Sequence, residues 1–453
     1  MQCHRWQALS KQGSLWYKGD LTFAAHLVGL VTMSVLLQIP LVILVTLACG
    51  SLARRLGQSR VIGEIVGGVL LGPSVFGRIA PTAAATFFPQ SSMASFETLS
   101  TVGLILFLFL IGTEVNVEDL YHQRGTAALS SMMSILLPFA MGALLAHPLS
   151  ARFAPQGMGS AAFVLFLGIA MSITAFPVLA RILEERGIQG TRLGTTAIMC
   201  AAVDDVIAWI LLAVAVALVG AGVDSLSLPQ RLIGLAVYLG LMIGVVRPIA
   251  TRLLRSRQSR QLSIELLGVM VAFAFASAAA TDALGIHPLF GAFLAGVCFP
   301  RESSWQETIR GRLDMLVSVL LLPLFFALTG MRTRLDLLNK PSMWVWTFIV
   351  ILAATLGKVG GATAAARWTG QPWRESLALG ILLNTRGLVE LIVLNIGYNL
   401  GIFSPTLFTM LVVMALVTTM CTTPALNLLG VQNDSQGKQS AGREGKHGPV
   451  LRC

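Results

Sequence analysis

The stretch CAAVDDVIAW, Cys200 to Trp209, places two adjacent aspartates, Asp204 and Asp205, inside an apolar run that covers residues 193–220. A run of that length spans a bilayer as a helix, and carboxylates at that depth are rare because charge is expensive in hydrocarbon. Neighbouring residues on an α-helix point about 100° apart. The two side chains therefore do not form a shared-proton dyad, and each addresses a different neighbour. Burial favours a neutral carboxyl and a nearby cation favours a charged one, so a proton and a metal cation can compete for such a group. A buried salt bridge that only ties helices together would need one aspartate, not two.

The rest of the chain has the same character. Its 453 residues are 55% hydrophobic and 12% charged, with a mean hydropathy of +0.77. Soluble domains carry roughly 25% charged residues. The deficit extends along the whole length, which makes this an all-α polytopic membrane protein. Candidate spans cover residues 28–53, 61–77, 97–113, 125–147, 160–183, 193–220, 231–251, 263–283, 286–300, 313–331, 343–366, 374–399 and 405–429. That is thirteen, of which the second, third and ninth are short. Residues 1–20 read as an extramembrane extension, 21–430 as the transmembrane domain, and 431–453 as a disordered cytoplasmic tail rich in Gly, Ser, Gln, Lys and Arg.

A net charge of +11 would suit a nucleic-acid partner, but the arginines gather in short loops between apolar runs. Alternate loops, beginning after the first span, hold sixteen arginines, among them Arg54, Arg55, Arg186, Arg192, Arg367 and Arg374. The opposite loops hold six basic residues: Arg78, Arg152, Arg231, Arg332, Arg334 and Lys340. Positive loops face the cytoplasm, which puts the N-terminus outside and the C-terminus inside. Nucleic acid is excluded as a partner and lipid is implied. The six cysteines show no paired spacing, so neither a disulfide framework nor a zinc site is suggested, and no cofactor is called for.

Other expensive residues single themselves out. Lys358 lies mid-span among Gly357, Gly360, Gly361 and Ala362. Small residues let helices approach closely in a membrane, and a lysine there needs a carboxylate such as the aspartate pair. The fifth span carries Thr174 and Pro177, and the twelfth carries Asn384, Thr385, Arg386 and Gly387. Both read as broken helices, and irregular backbone at membrane depth lines a cavity or is buried. They lie seven spans apart, an odd offset that gives equivalent elements opposite orientations, as in inverted repeats. Arg386 and Glu390 stand four residues apart on one helical face. Glu64 reads as a pairing residue near a helix start, and His287 as a loop or interface residue.

These motifs resemble the monovalent cation:proton antiporters of the second type. The resemblance runs from about Leu41 to Leu429. It is carried in order by RRLGQSRVIGEIVGGVLLGPSVFG (54–77), LILFLFLIGTEVN (104–116), SITAFPVLARIL (172–183), AAVDDVIAW (201–209), TDALGIHPLFGAFLAGV (281–297), LFFALTGMRTRLD (324–336) and NTRGLVELIVLNIG (384–397). The last few are nearest to the branch of plant and fungal cation/proton exchangers and their bacterial relatives. The resemblance implies a sodium/proton antiporter fold of thirteen helices in two inverted repeats, with a dimerisation domain, a mobile core and two crossed discontinuous helices. It implies a homodimer, and exchange of Na⁺ or K⁺ for protons by alternating access. Carried over by motif, Asp205 is the ion- and proton-binding carboxylate and Asp204 the partner of Lys358. Thr174 is implied as a polar ligand at the break, with Arg386 and Glu390 compensating helix-end charge and Glu64 and Asn384 as further candidates. Two acids plus the lysine imply electrogenic exchange. The resemblance, with no large soluble domain beside it, points to the inner membrane of a bacterium.

Three other classes fit parts of the sequence. Export of an organic metabolite could use the same scaffold. A channel-like potassium efflux protein would need a regulatory domain or an open pore. An intramembrane aspartyl protease would need carboxylates on two facing helices, and here both lie on one.

Overall fold

The structure, a computed structural model, describes residues 35–114, 126–155, 159–189, 191–219, 228–255, 263–299 and 303–431. The expected extension over residues 1–20 and nearly all of the expected tail lie outside the described residues. Among the described residues there are helices and no strand. In chain order they are α1 (Val35–Arg55), α2 (Arg60–Leu71), α3 (Phe76–Ile79), α4 (Pro81–Phe87), α5 (Gln90–Glu114), α6 (Thr126–Phe153), α7 (Ser160–Ser172), α8 (Phe176–Glu185) and α9 (Arg192–Val219). Then come α10 (Leu228–Leu241), α11 (Arg247–Arg255), α12 (Ile264–Ala283), α13 (Pro288–Val297), α14 (Ser303–Leu316), α15 (Leu322–Arg332), α16 (Pro341–Trp368), α17 (Trp373–Leu383), α18 (Leu388–Asn399) and α19 (Pro405–Leu428).

Each predicted span coincides with helix, but not every one is a full crossing. Among the described residues, ten helical stretches are long and apolar enough to cross a bilayer, or eleven if the bent pair α17–α18 counts as one. The fifth predicted span is two helices, α7 and α8, separated by residues 173–175. The ninth is α13, ten residues long, about 15 Å of helix against a hydrocarbon core of about 30 Å. Among the described residues the expected thirteen spans are therefore not matched: by length and composition there are ten or eleven, and α7 and α13 are shorter apolar helices.

Local signals set the helix ends. Ser263 Oγ accepts the Leu266 N–H at the start of α12, and Ser404 Oγ accepts the Leu407 N–H at the start of α19, where Pro405 fills the first turn. Lipid-facing surfaces carry Leu44, Leu144, Val237, Val269 and Phe348, all strongly exposed, as suits contact with acyl chains rather than water. Arg231, expected in a loop, instead lies buried within α10, because that helix begins at Leu228, before the arginine.

Close packing falls into two sets. In one, α2 packs on α1 and α15, and α13 packs on α5 and α12. In the other, α6 packs on α7, α9 and α16, and α16 also packs on α17 and α19. Glycines permit the closest approaches. A Cβ on Gly357 would strike Pro138 of α6, and one on Gly361 would strike the Met133 carbonyl, while Gly360 faces open space. Glycines 357 and 361, one turn apart, therefore bring the face of α16 that carries Lys358 against α6.

Candidate functional site

Two helix breaks meet in the second set. After α7 the chain runs extended through Ile173 (φ −73°, ψ 139°) before α8 begins. Pro177 takes the second position of α8, where its missing N–H leaves no helical bond unmade. After α17 the chain leaves the helix at Asn384, and α18 resumes at Leu388 with a 43° bend between the halves. The breaks satisfy one another: the Ala175 N–H donates to the Thr385 carbonyl (2.9 Å), and Thr174 Oγ1 donates to the Leu383 carbonyl (3.1 Å).

The end of α7 presents carbonyls with no helical partner, the negative pole of its dipole. Two buried cations take them. Arg386 Nη1 donates to the Ala170 carbonyl (2.9 Å) and Nη2 to that of Met171 (2.7 Å). Lys358 Nζ donates to the Ser172 carbonyl. Arg386 is held in turn by Thr419 of α19, whose hydroxyl accepts its N–H (2.9 Å) and donates to its carbonyl (2.8 Å). Its Nη1 lies 3.2 Å from Glu390 Oε1, with both side chains fully buried. Neither Glu390 oxygen has a hydrogen-bond partner among the described residues.

Asp204 and Asp205 sit beside this crossing on α9 in opposite states. Asp204 is saturated. Its Oδ1 accepts Ser131 Oγ (2.6 Å), and its Oδ2 accepts Ser134 Oγ (2.7 Å), Thr174 Oγ1 (2.7 Å) and Lys358 Nζ (3.1 Å). Asp205 is 4% exposed, and among the described residues neither of its carboxylate oxygens has a hydrogen-bond partner. The 100° between successive side chains produces this split: one is hydrogen-bonded to α6 and α16, and the other is not.

Of the residues expected from sequence, Asp204, Lys358 and Thr174 meet in one hydrogen-bonded cluster. Arg386 and Glu390 pair at the start of α18. Asn384 is buried at the end of α17, and its Oδ1 has no partner among the described residues. Thr174, expected to face a bound ion beside Asp205, directs its hydroxyl to Asp204 and Leu383. Glu64 stands apart. It accepts Arg60 Nε (2.6 Å) one turn away on α2 and packs at Gly50 of α1. Toward the crossing α2 turns Ile62 and Ile65 instead, which line a narrow cleft with Arg386, Gly387 and Leu391. His287 caps α13, its Nδ1 accepting the Leu289 N–H (3.4 Å).

Ser131, Ser134 and Thr419 were missed. The serines left a signal: LSSMMSILL (129–137) interrupts an apolar run with hydroxyls three residues apart, on one helical face. Among the described residues no three His, Cys, Asp or Glu side chains converge as metal ligands.

Two broken helices crossing beside a buried carboxylate, within a bundle of membrane spans, define the architecture of a secondary transporter. The description "Sodium/hydrogen exchanger, transmembrane" matches residues 41–429, and the chain belongs to that family. It is 41% identical over 377 residues to the Na(+)/H(+) antiporter NhaS4 of Synechocystis, covering 83% of this chain and 92% of that protein. It is 42% identical over 395 residues to Cation/H(+) antiporter 17 of Arabidopsis thaliana. There the match takes in 86% of this chain but 47% of the plant protein, so the chain spans about half the length of that relative. The fold is that of the sodium proton antiporter MjNhaP1 of Methanocaldococcus jannaschii, with a TM-score of 0.66 at 14% identity over 88% of this chain and 98% of the other.

Proposed function

We propose that the protein is a secondary active antiporter that exchanges a monovalent cation, Na⁺ or K⁺, for H⁺ by alternating access. The observation that carries this reading is the contrast between the adjacent aspartates. Asp204 has its charge fully compensated, whereas Asp205 is buried with both oxygens unclaimed. A bare carboxylate in such surroundings is strongly disfavoured and is relieved by a proton or by a cation. A site that crosses the membrane only when neutralised exchanges one for the other. No covalent chemistry and no enzymatic step is involved. The relatives, a Na(+)/H(+) antiporter and a cation/H(+) antiporter by name, support the same class.

The surrounding assignments follow. Residues 21–430 form the transport domain, with the N-terminus outside and the C-terminus cytoplasmic. The protein works as a homodimer in a bacterial inner membrane, in contact with lipid, and serves pH and cation homeostasis. The buried Lys358–Asp204 pair beside Asp205 supplies the two acids and the lysine that the resemblance associates with electrogenic exchange. The test uses everted vesicles with a preformed pH gradient. Added Na⁺ or K⁺ dissipates the gradient, and vesicles carrying Asp205→Ala show no such response. Dissipation by the variant at the wild-type rate refutes the proposal.

A further inference from the structure

We propose that the second helix break supplies the cation's neutral ligands: the hydroxyl of Thr385, with the side-chain oxygen of Asn384 beside it, joins Asp205 around the ion and sets which alkali cation is preferred. The inference rests on the antiport reading above and extends it to the residues that discriminate between cations.

A dehydrated alkali cation replaces its water shell with several oxygens, and one carboxylate offers two at most. The first break, at Thr174, is already occupied: its hydroxyl is turned to Asp204 and Leu383. The Ser131 and Ser134 hydroxyls are also turned to Asp204. The second break is different. Thr385 is fully buried and Asn384 is 6% exposed, yet among the described residues Thr385 Oγ1 and Asn384 Oδ1 have no hydrogen-bond partner. Buried polar atoms are nearly always satisfied, so two orphans on consecutive residues at membrane depth need an account.

Their position supplies it. The Thr385 carbonyl receives the Ala175 N–H, and the residue before Ala175, Thr174, donates to Asp204, whose next neighbour on α9 is Asp205. The orphaned oxygens of the second break and the orphaned carboxylate of α9 thus border the same short extended segment of the first break. The basic groups at the crossing are hydrogen-bonded to carbonyls of α7, Arg386 to Ala170 and Met171 and Lys358 to Ser172, rather than to these oxygens. A carboxylate, a hydroxyl and an amide oxygen form a hard-oxygen set suited to an alkali cation.

The test uses purified full-length protein in proteoliposomes with three variants: Thr385→Val, which keeps shape and removes the hydroxyl, Thr385→Ser, which restores it, and Asn384→Ala. Cation-driven proton flux gives the apparent KM for Na⁺, K⁺ and Li⁺. Saturable stabilisation of the detergent-solubilised protein by each cation gives binding without transport. Thr385→Val raises the KM for the preferred cation by about tenfold and changes the ranking among the three, with Vmax within about twofold of wild type. Asn384→Ala acts in the same direction, and Thr385→Ser stays near wild type. Stabilisation curves move in parallel. Wild-type KM values and stabilisation curves for Thr385→Val overturn the inference. Cation stabilisation that weakens in Thr385→Val, in a protein whose wild type moves no protons, refutes antiport and leaves the ligand assignment standing. Absence of both flux and stabilisation in the wild type refutes both.

Discussion

Lys358 Nζ lies 3.1 Å from Asp204 Oδ2 with both side chains fully buried, while Asp205, the next residue, has no hydrogen-bond partner on either oxygen among the described residues. Two identical side chains adjacent in sequence thus have opposite electrostatic roles. Asp204 is a fixed charge whose position is determined by α6, the first break and α16. Asp205 is the charge left for something that comes and goes.

The pair should therefore separate activity from stability. Asp205→Asn removes an uncompensated buried charge and leaves Ser131, Ser134, Thr174 and Lys358 bonded to Asp204, so its thermal midpoint stays equal to or above that of wild type. Its cation-driven proton flux falls to background. Asp204→Asn strips the negative charge from three hydroxyls and an ammonium, and costs about 3–5 kcal/mol, as does breaking a buried pair elsewhere. Thermal unfolding in detergent alongside vesicle flux separates the two. A large loss of stability in Asp205→Asn alone would contradict the assignment.

Lys358 has two tasks, pairing Asp204 and covering the Ser172 carbonyl at the end of α7. Lys358→Ala leaves the Asp204 carboxylate and the Ser172 carbonyl facing a cavity and should lower stability by about 3–5 kcal/mol. Lys358→Gln keeps a donor for the carbonyl and should recover part of that. The comparison is a pair of unfolding curves, and equal losses in the two variants would show that the carbonyl contact contributes nothing.

The spans, the two breaks and the expensive residues were legible in the sequence because each violates hydropathy in a way that few structures tolerate. Asp204, Asp205, Lys358, Arg386 and Glu390 are visible as charges in apolar runs. Ser131 and Ser134 show only as hydroxyls spaced three apart, and Thr419 not at all, because a single hydroxyl in a membrane helix can satisfy itself on its own backbone, as Thr418 does on the Met414 carbonyl (2.9 Å). Only tertiary contact distinguishes the two cases. The hydrogen bond from the Ala175 N–H to the Thr385 carbonyl, across 210 positions, has no local signal at all. Glu64 was drawn toward the site by its charge alone, and the Arg60 pair on the α1 side of α2 explains that charge without reference to the crossing.

Competition at one carboxylate gives a pH dependence with a definite sign. As pH falls, the proton occupies the group in a larger fraction of molecules, so the apparent KM for the cation rises, by up to tenfold per pH unit, while Vmax at saturating cation changes less. As pH rises, KM falls to a plateau set by cation affinity alone. Flux measured against cation concentration at a series of pH values tests this, and a KM that stays flat through the neutral range would exclude a shared site.

Arg386 takes the Ala170 and Met171 carbonyls, and its guanidinium geometry offers two divergent donors where lysine offers a point charge. Arg386→Lys keeps the positive charge but reaches one carbonyl at most. The expected result is a loss of about 1–3 kcal/mol from the newly unsatisfied carbonyl and a fall in flux, because the end of α7 also positions Lys358 through Ser172. Full activity in this variant would show that charge alone, and not the two-carbonyl grip, matters at the crossing.

The last relationship concerns movement. Arg332 of α15 donates to Asn395 Oδ1 of α18 (2.8 Å) and pairs with Glu97 of α5, while Asn395 Nδ2 donates to Thr329 Oγ1 (2.9 Å). These contacts tie the helix that leaves the crossing to α5 and α15, at the rim of a cavity of about 630 Å³ lined by Met93, Glu97, Met331, Arg332 and Tyr398. If the crossing slides against α5 and α15 during transport, this tie must break once per cycle. Asn395→Leu removes it while keeping volume, at a cost of about 1–3 kcal/mol to the state that contains it, which shifts a two-state equilibrium roughly 5- to 150-fold. A cysteine placed at Met93 should then react more slowly with a water-soluble maleimide, because the open cavity is less populated, and Vmax should change with it. Unaltered labelling together with unaltered Vmax would show that the tie persists through the cycle and that α15 and α18 move as one body.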